Sequence, residues 1–239
     1  MRLANAFKYQ MTSAVKAIGI YYGIMLLIRM AMLLADIYLI SNGNSHISAV
    51  ETNTMVFMLF LGVFSIVEDF KFFVQNGYSR KSLIKLYIIQ FAACALILAC
   101  LDVTCSYVLD WMYTYESLCD QIYGAQFFLL EILWLMMVNM AIGVLAFFFT
   151  ILVQRMNKFQ RIVYLLGVPV VLVTMLPVLD IYVLDGAMSS YILEFLTKAM
   201  GLYQNTNMII PIFSFMAVSA IFSILSYLAI RRATPFVQS

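Results

Sequence analysis

Twelve acidic and fourteen basic residues are all the formal charge carried by 239 positions, 64% of which are hydrophobic and 11% charged. Soluble domains run at roughly 45–50% apolar and 25% charged residues, so a mean hydropathy of +0.97 excludes an ordinary water-soluble fold. The chain is an integral membrane protein with room for about six spans of roughly 20 residues and little else, and any chemistry that needs a soluble domain falls to another chain.

In chain order, long apolar runs predict spans over 17–40, 54–75, 86–109, 125–153, 162–184 and 208–230. The first run is too long for the apolar core of a cleavable signal, and the segment before it, "MRLANAFKYQMTSAVK", is long and mildly amphipathic. It predicts an interfacial helix over 1–16 with Leu3, Phe7, Met11 and Val15 toward lipid and its lysines snorkelling. Arg2, Lys8 and Lys16 precede span one, and Lys71, Arg80, Lys81 and Lys85 separate spans two and three. Arg155, Lys158 and Arg161 separate spans four and five, and Arg231 and Arg232 follow span six. These bases all fall on one side, which the positive-inside rule makes cytoplasmic, with both termini. The opposite loops, around Glu51, around Asp110, Glu116 and Asp120, and around Asp185 and Glu194, contain Lys198 as their base.

Chemistry-bearing motifs are sparse. Cys94, Cys100, Cys105 and Cys119 make no C-x-x-C pair and His46 is the one histidine, so metal and Cys/His nucleophile sites find little support. The spacing of Cys105 and Cys119 neither demands nor forbids a disulfide. No phosphate-binding loop, G-x-S-x-G elbow or H-E-x-x-H helix occurs. No cofactor is expected in the chain, and nothing points to nucleic acid.

The stretch from Ser65 to Gln90, "SIVEDFKFFVQNGYSRKSLIKLYIIQ", concentrates two acids and four bases between apolar runs. Asn76-Gly77 is a turn signal, Phe70, Phe73 and Val74 share a helical face, and Ser79 is placed to cap the helix that follows. The expectation is a helical corner over 68–82, fixed to two spans. Arg80, Lys81 and Lys85 alone would suit anionic headgroups, but topology does not account for the acids.

With its N-terminal flank, six spans and the "EDF" to "QNGYSRKSL" corner, nearly the whole chain resembles the permease subunits of bacterial ATP-binding-cassette exporters of the second integral-membrane type. The resemblance implies an all-α membrane domain in the cytoplasmic membrane, a second permease copy or paralogue as dimer partner, and separate ATPase subunits that bind ATP and magnesium. It implies that the corner is a coupling helix, with Glu68, Asp69, Lys71, Asn76, Arg80 and Lys81 as contacts and Phe70, Phe72 and Phe73 as a hydrophobic plug. A hydrophobic or amphipathic substrate, such as a peptide antibiotic or a lipid-like molecule, is the expected cargo. Residues 187–203 then resemble an outer re-entrant or capping helix; an outer-leaflet surface helix fits the same pattern, in which Glu194 precedes Lys198 by one turn. The substrate-capture subunit of a vitamin importer is the alternative reading, and an intramembrane enzyme a more distant one.

Three further features bear on packing. Gly19 and Gly23 make a G-x-x-x-G suited to a helix–helix or dimer contact. Pro169 and Pro177 invite bends in span five. Arg29 lies near mid-bilayer, where an arginine costs about 2.5–3.5 kcal/mol on insertion scales; Glu131 is its expected partner by depth, with Asp36 the fallback.

Overall fold

A computed structural model of the chain describes residues 2–39, 50–112, 115–124, 127–183, 186–203 and 206–231, and those residues are helical almost throughout, with no strand among them. Helix α1 spans Arg2–Leu39, α2 Val50–Gln75, α3 Arg80–Met112, α4 Leu118–Tyr123 and α5 Phe128–Gln154. A helical stretch then passes through α6 (Lys158–Ile162), α7 (Val168–Val170) and α8 (Leu176–Val183), followed by α9 (Ala187–Ala199) and α10 (Ile209–Arg231). Four stretches are long and apolar enough to cross a membrane: Ala4–Ala31, Arg80–Trp111, Phe128–Gln154 and Ile209–Arg231. Val50–Ile66 is a shorter apolar run within α2.

Helix α5 is the axis of the bundle. Its buried residues, among them Trp134, Leu135, Val138, Val144, Phe147 and Ile151, point in several directions, because α2, α3 and α10 all pack on it while α1 lies along α3. Tyr87 and Phe91 of α3 meet Phe147 at ring-centroid distances of 5.0 and 5.4 Å, filling the half nearest the basic residues. The opposite half is packed by Val103, Cys119, Tyr123, Trp134 and Met208.

Where α2 crosses α5 the helices touch through glycine. A Cβ built on Gly62 would stand 2.5 Å from the carbonyl oxygen of Gly143 and 2.9 Å from the Cβ of Ala146, and one on Gly143 would stand 2.6 Å from the Met58 methyl. The expected pair, Gly19 and Gly23, meets nothing within 4 Å and is exposed. Small residues permit close approach only where another backbone is present, and within this chain it is present at Gly62 and Gly143.

Helix α1 runs without a break through the expected boundary between interfacial helix and span, since nothing between Arg2 and Leu39 removes a backbone donor. Ala6, Gln10, Ala14 and Ile18, spaced by four, form its buried stripe. Phe7 and Met11, expected toward lipid, pack against the core beside that stripe, whereas Val15 is exposed.

The two prolines deform the stretch from 158 to 183 in the same way. Each lacks an N–H and its ring crowds the carbonyl four residues back, which is Leu165 for Pro169 and Val173 for Pro177. Both carbonyls fall inside π-helical turns, Val163–Gly167 and Val171–Met175, in which the backbone widens by one residue ahead of the proline. Thr174 adds a side-chain bond of 2.6 Å to the carbonyl of Val170. From within α8, the carboxylate of Asp180 accepts the N–H groups of Met188 and Ser189 at 2.8 and 2.9 Å, capping the exposed α9, where Glu194 and Lys198 pair at 2.6 Å. All four cysteines are free thiols.

Gly62→Ala should lower the thermal midpoint of the purified protein, by an overpacking penalty of about 1–3 kcal/mol, although alanine is the better helix former. Gly19→Ala, in open space, should leave the midpoint level or slightly raised. Equal responses at the two positions would contradict the α2–α5 crossing.

Candidate functional site

The corner between α2 and α3 is built as a helix stop followed at once by a helix start. Gly77 has φ +78°, the left-handed conformation that glycine adopts at least cost. The N–H of Tyr78 bonds the carbonyl of Phe73 and that of Gly77 the carbonyl of Val74, both at 3.1 Å, so two end carbonyls of α2 are satisfied in a Schellman arrangement. Its accompanying apolar contact is Phe73 against Tyr78, edge to face at 5.3 Å. Ser79 then caps α3, accepting the N–H of Ser82 at 3.2 Å. The turn at Asn76-Gly77 and the cap at Ser79 thus stand as the sequence predicts.

Side chains around this corner divide by exposure. Phe70 and Phe73 are buried in the chain's own core at 4% and 2%, while Phe72 is 53% exposed; of the expected plug, only Phe72 faces outward. Tyr9 of α1 stacks on Phe72 at 6.1 Å. Asn76 turns back to bond the carbonyl of Phe72 at 2.8 Å, and Lys81 is exposed. Arg80 reaches the end of α10 and donates from Nη1 to the carbonyls of Ile230 and Arg231, each at 3.2 Å. Arg155, at the end of α5, donates to Ala229 at 2.8 Å. Guanidinium groups at a helix C-terminus satisfy its orphan carbonyls and oppose the negative end of its dipole, so the corner, α5 and α10 are tied together. The side chains of Glu68, Asp69, Lys71 and Asp36, and all of His46, lie outside the described residues.

A second site, not anticipated from the sequence, is buried at the other end of α2 and α3. Glu51, expected in a loop, begins α2 and is buried; Thr54 is one turn further along the same face. Asp102 and Ser106 are one turn apart on α3. The two helices exchange bonds: Thr54 Oγ1 donates to Asp102 Oδ1 at 3.0 Å and Ser106 Oγ to Glu51 Oε1 at 2.9 Å. Each carboxyl also meets a phenol, Tyr22 Oη at 2.6 Å from Asp102 Oδ1 and Tyr115 Oη at 3.0 Å from Glu51 Oε2. Tyr21 is hydrogen-bonded to Thr54 at 3.1 Å and its ring stacks on Phe57 at 4.5 Å.

The outer segment closes this site. Tyr115 accepts the Val50 N–H at 2.9 Å, capping α2 from outside the helix, and burial together with the Glu51 carboxylate pushes its phenol above the ordinary range. It therefore remains a hydrogen donor throughout the neutral range. Cys119 donates to the sulfur of Met208 at 3.7 Å, its thiol pushed up to about 12 chiefly by burial, and Tyr123 donates to the carbonyl of Met200 at 2.8 Å. Ser117 caps α4 through the Asp120 N–H at 3.0 Å. Glu131, buried at the start of α5, has Ser117, Asp120 and Glu51 as its polar surroundings. Arg29 is half-buried on α1 and acts electrostatically on Tyr21.

No protein-family model, curated protein or solved structure matches this chain. What the fold defines is the class: an all-helical protein with the architecture of a multi-pass membrane protein.

Tyr115→Phe keeps the ring but strands Glu51 Oε2 and the Val50 N–H. A buried polar group deprived of its partner costs about 1–3 kcal/mol, so the variant's unfolding midpoint should fall. A midpoint equal to wild type would remove Tyr115 from the network.

Proposed function

We propose that the chain is the permease subunit of an ATP-driven exporter in a bacterial cytoplasmic membrane, driven through the α2–α3 corner by a separate ATPase. The observation that carries this reading is the corner's construction. Helix stop, turn and helix start occupy a few residues, Phe72 and Lys81 are turned outward, and Arg80 ties the corner to α10. Such an element takes a push from outside the membrane and passes it to two helices without bending between them. Its position among the basic residues places it, by the positive-inside rule, on the cytoplasmic face, where ATPase subunits are found.

On this reading the bent stretch from 158 to 183 and the whole of α2 are spans, giving six in all with both termini cytoplasmic. Helix α9 caps the outer mouth as a re-entrant helix, and a second permease completes the path. The exposed face containing Gly19 and Gly23 is the proposed place for that second permease, and a hydrophobic or amphipathic molecule, a peptide antibiotic or lipid, is the proposed cargo. Glu68, Asp69 and Lys71 remain proposed contacts of the ATPase.

Expressed from its native operon, the chain should co-purify with a cassette ATPase. Phe72→Ala combined with Lys81→Ala should weaken that association at least several-fold, because docked corners combine aromatic anchors with charge register, and should leave the chain folded, with a stability loss of about 0.5–1.5 kcal/mol from the lost Tyr9–Phe72 stack. Unaltered ATPase binding and transport in the double variant would overturn the coupling assignment. Orientation has its own check. In a cysteine-free background, a cysteine at Ser189 should react with an impermeant thiol reagent from outside and one at Ser79 only from inside; outside labelling at position 79 would overturn the topology.

A further inference from the structure

Hydrogens in the Asp102 site do not match its hydrogen-bond distances. Tyr22 has a single hydroxyl hydrogen and two acceptors: Asp102 Oδ1 at 2.6 Å and the Leu98 carbonyl at 3.3 Å. The Thr54 hydroxyl serves Oδ1 and is itself bonded to Tyr21. Both Tyr22 distances are filled when the hydrogen between Tyr22 and Asp102 belongs to the acid, Oδ1–H donating to Tyr22 Oη, and the phenol gives its own hydrogen to Leu98. Asp102 Oδ2 points the same way. It is buried without a hydrogen-bond partner, in a residue with 0% exposure. A carboxylate oxygen in that condition bears a share of a full negative charge that nothing offsets, whereas the carbonyl oxygen of a neutral acid costs far less to leave unpaired.

The surroundings supply hydroxyls and another acid. Tyr21 and Tyr22 face Asp102 from α1, Thr54 and Glu51 from α2, and Cys105 and Ser106 share its own helix; Tyr115 comes from the outer segment onto Glu51. Arg29 acts at Tyr21, and Glu131 acts on this region from α5 through Glu51. Glu51 differs from Asp102 in that each of its oxygens accepts a hydroxyl hydrogen. The hydrogen pattern therefore places the proton on Asp102.

We propose that Asp102 is a proton-binding site: with α1, α2 and α3 packed on it as here, its Oδ1 carries a hydrogen. The step is a bare acid–base exchange: the Oδ1–H bond forms with a proton from water and breaks, as pH rises, with the proton's return to water. The site does not depend on what the protein transports.

The experiment is infrared spectroscopy of the purified protein in nanodiscs against pH, with thermal unfolding measured in parallel. Wild type should show the carbonyl stretch of a protonated, buried carboxyl, shifted when aspartate is isotope-labelled, absent in Asp102→Asn and retained in Glu51→Gln. A folded chain that holds a proton which the unfolded chain releases loses stability as pH rises. Relative to Asp102→Asn, the wild-type midpoint should therefore fall as pH rises from the ordinary aspartate range to the pH at which the band disappears, and level off beyond it. Absence of the band from wild type, its persistence in Asp102→Asn, or a wild-type midpoint that rises over that range relative to Asp102→Asn would each overturn the proposal. Should Asp102→Asn fail to fold, the isotope shift in wild type decides, with Tyr22→Phe required to move the same band.

Discussion

A polar group that enters a hydrocarbon layer must find its partner inside the protein, and the exchange of hydroxyls between α2 and α3 is how this chain meets that demand with the buried carboxyls of Glu51 and Asp102. Glu51 and Thr54 on one helix, Asp102 and Ser106 on the other, are each a single helical turn apart, so one rotation and one register satisfy both bonds. A slip of one residue along either helix would strand both acids. The register of α2 on α3 also sets where α1 can lie, because Tyr21 and Tyr22 reach that same cluster, and where the outer segment can close, because Tyr115 does. Apolar packing holds the bundle together, but lipid tails are as apolar as leucine and choose no register.

Legibility in the sequence followed the range of the interaction. Asn76-Gly77 and Ser79 act on backbone groups within a turn of themselves, and they stand where turn and cap chemistry put them. Prolines 169 and 177 act on carbonyls four residues back, and the stretch deforms there. The buried cluster is another matter, since its pairs lie 33 to 80 positions apart in the chain. Serine, threonine and tyrosine in a membrane helix carry no signal of their own, and Glu51 reads as loop because it begins a helix. What could have found the site is a shared spacing: an acid and a hydroxyl one turn apart, once at 51 and 54 and again at 102 and 106.

Glycine and phenylalanine show the same limit. G-x-x-x-G is a pattern within one helix, so it selects Gly19 and Gly23, whereas the crossing actually made within the chain uses one glycine from α2 and one from α5. In the corner, Phe70 and Phe73 are three residues apart and share the inward face, while Phe72 between them is turned out. Helical period alone therefore separates the core aromatics from the one available to a partner, and the family resemblance, which treats all three alike, does not.

Helix α3 joins the two sites. From Arg80 to Asp102 it is unbroken, and at about 1.5 Å per residue that is roughly 33 Å of stiff rod. One end is held to α10 by Arg80 and the other to α1 and α2 by hydroxyl bonds on Asp102 and Ser106. Between those ends Tyr87 and Phe91 hold it against Phe147 of α5. Side chains therefore fix α3 at three levels: the α10 carbonyls, the aromatic contact with α5 and the carboxyl cluster. Arg155 braces α10 against α5, and α2 meets α5 through close glycine contacts. One helix thus sets both regions: what fixes α3 at the corner also fixes the height and rotation at which Asp102 and Ser106 meet α1 and α2.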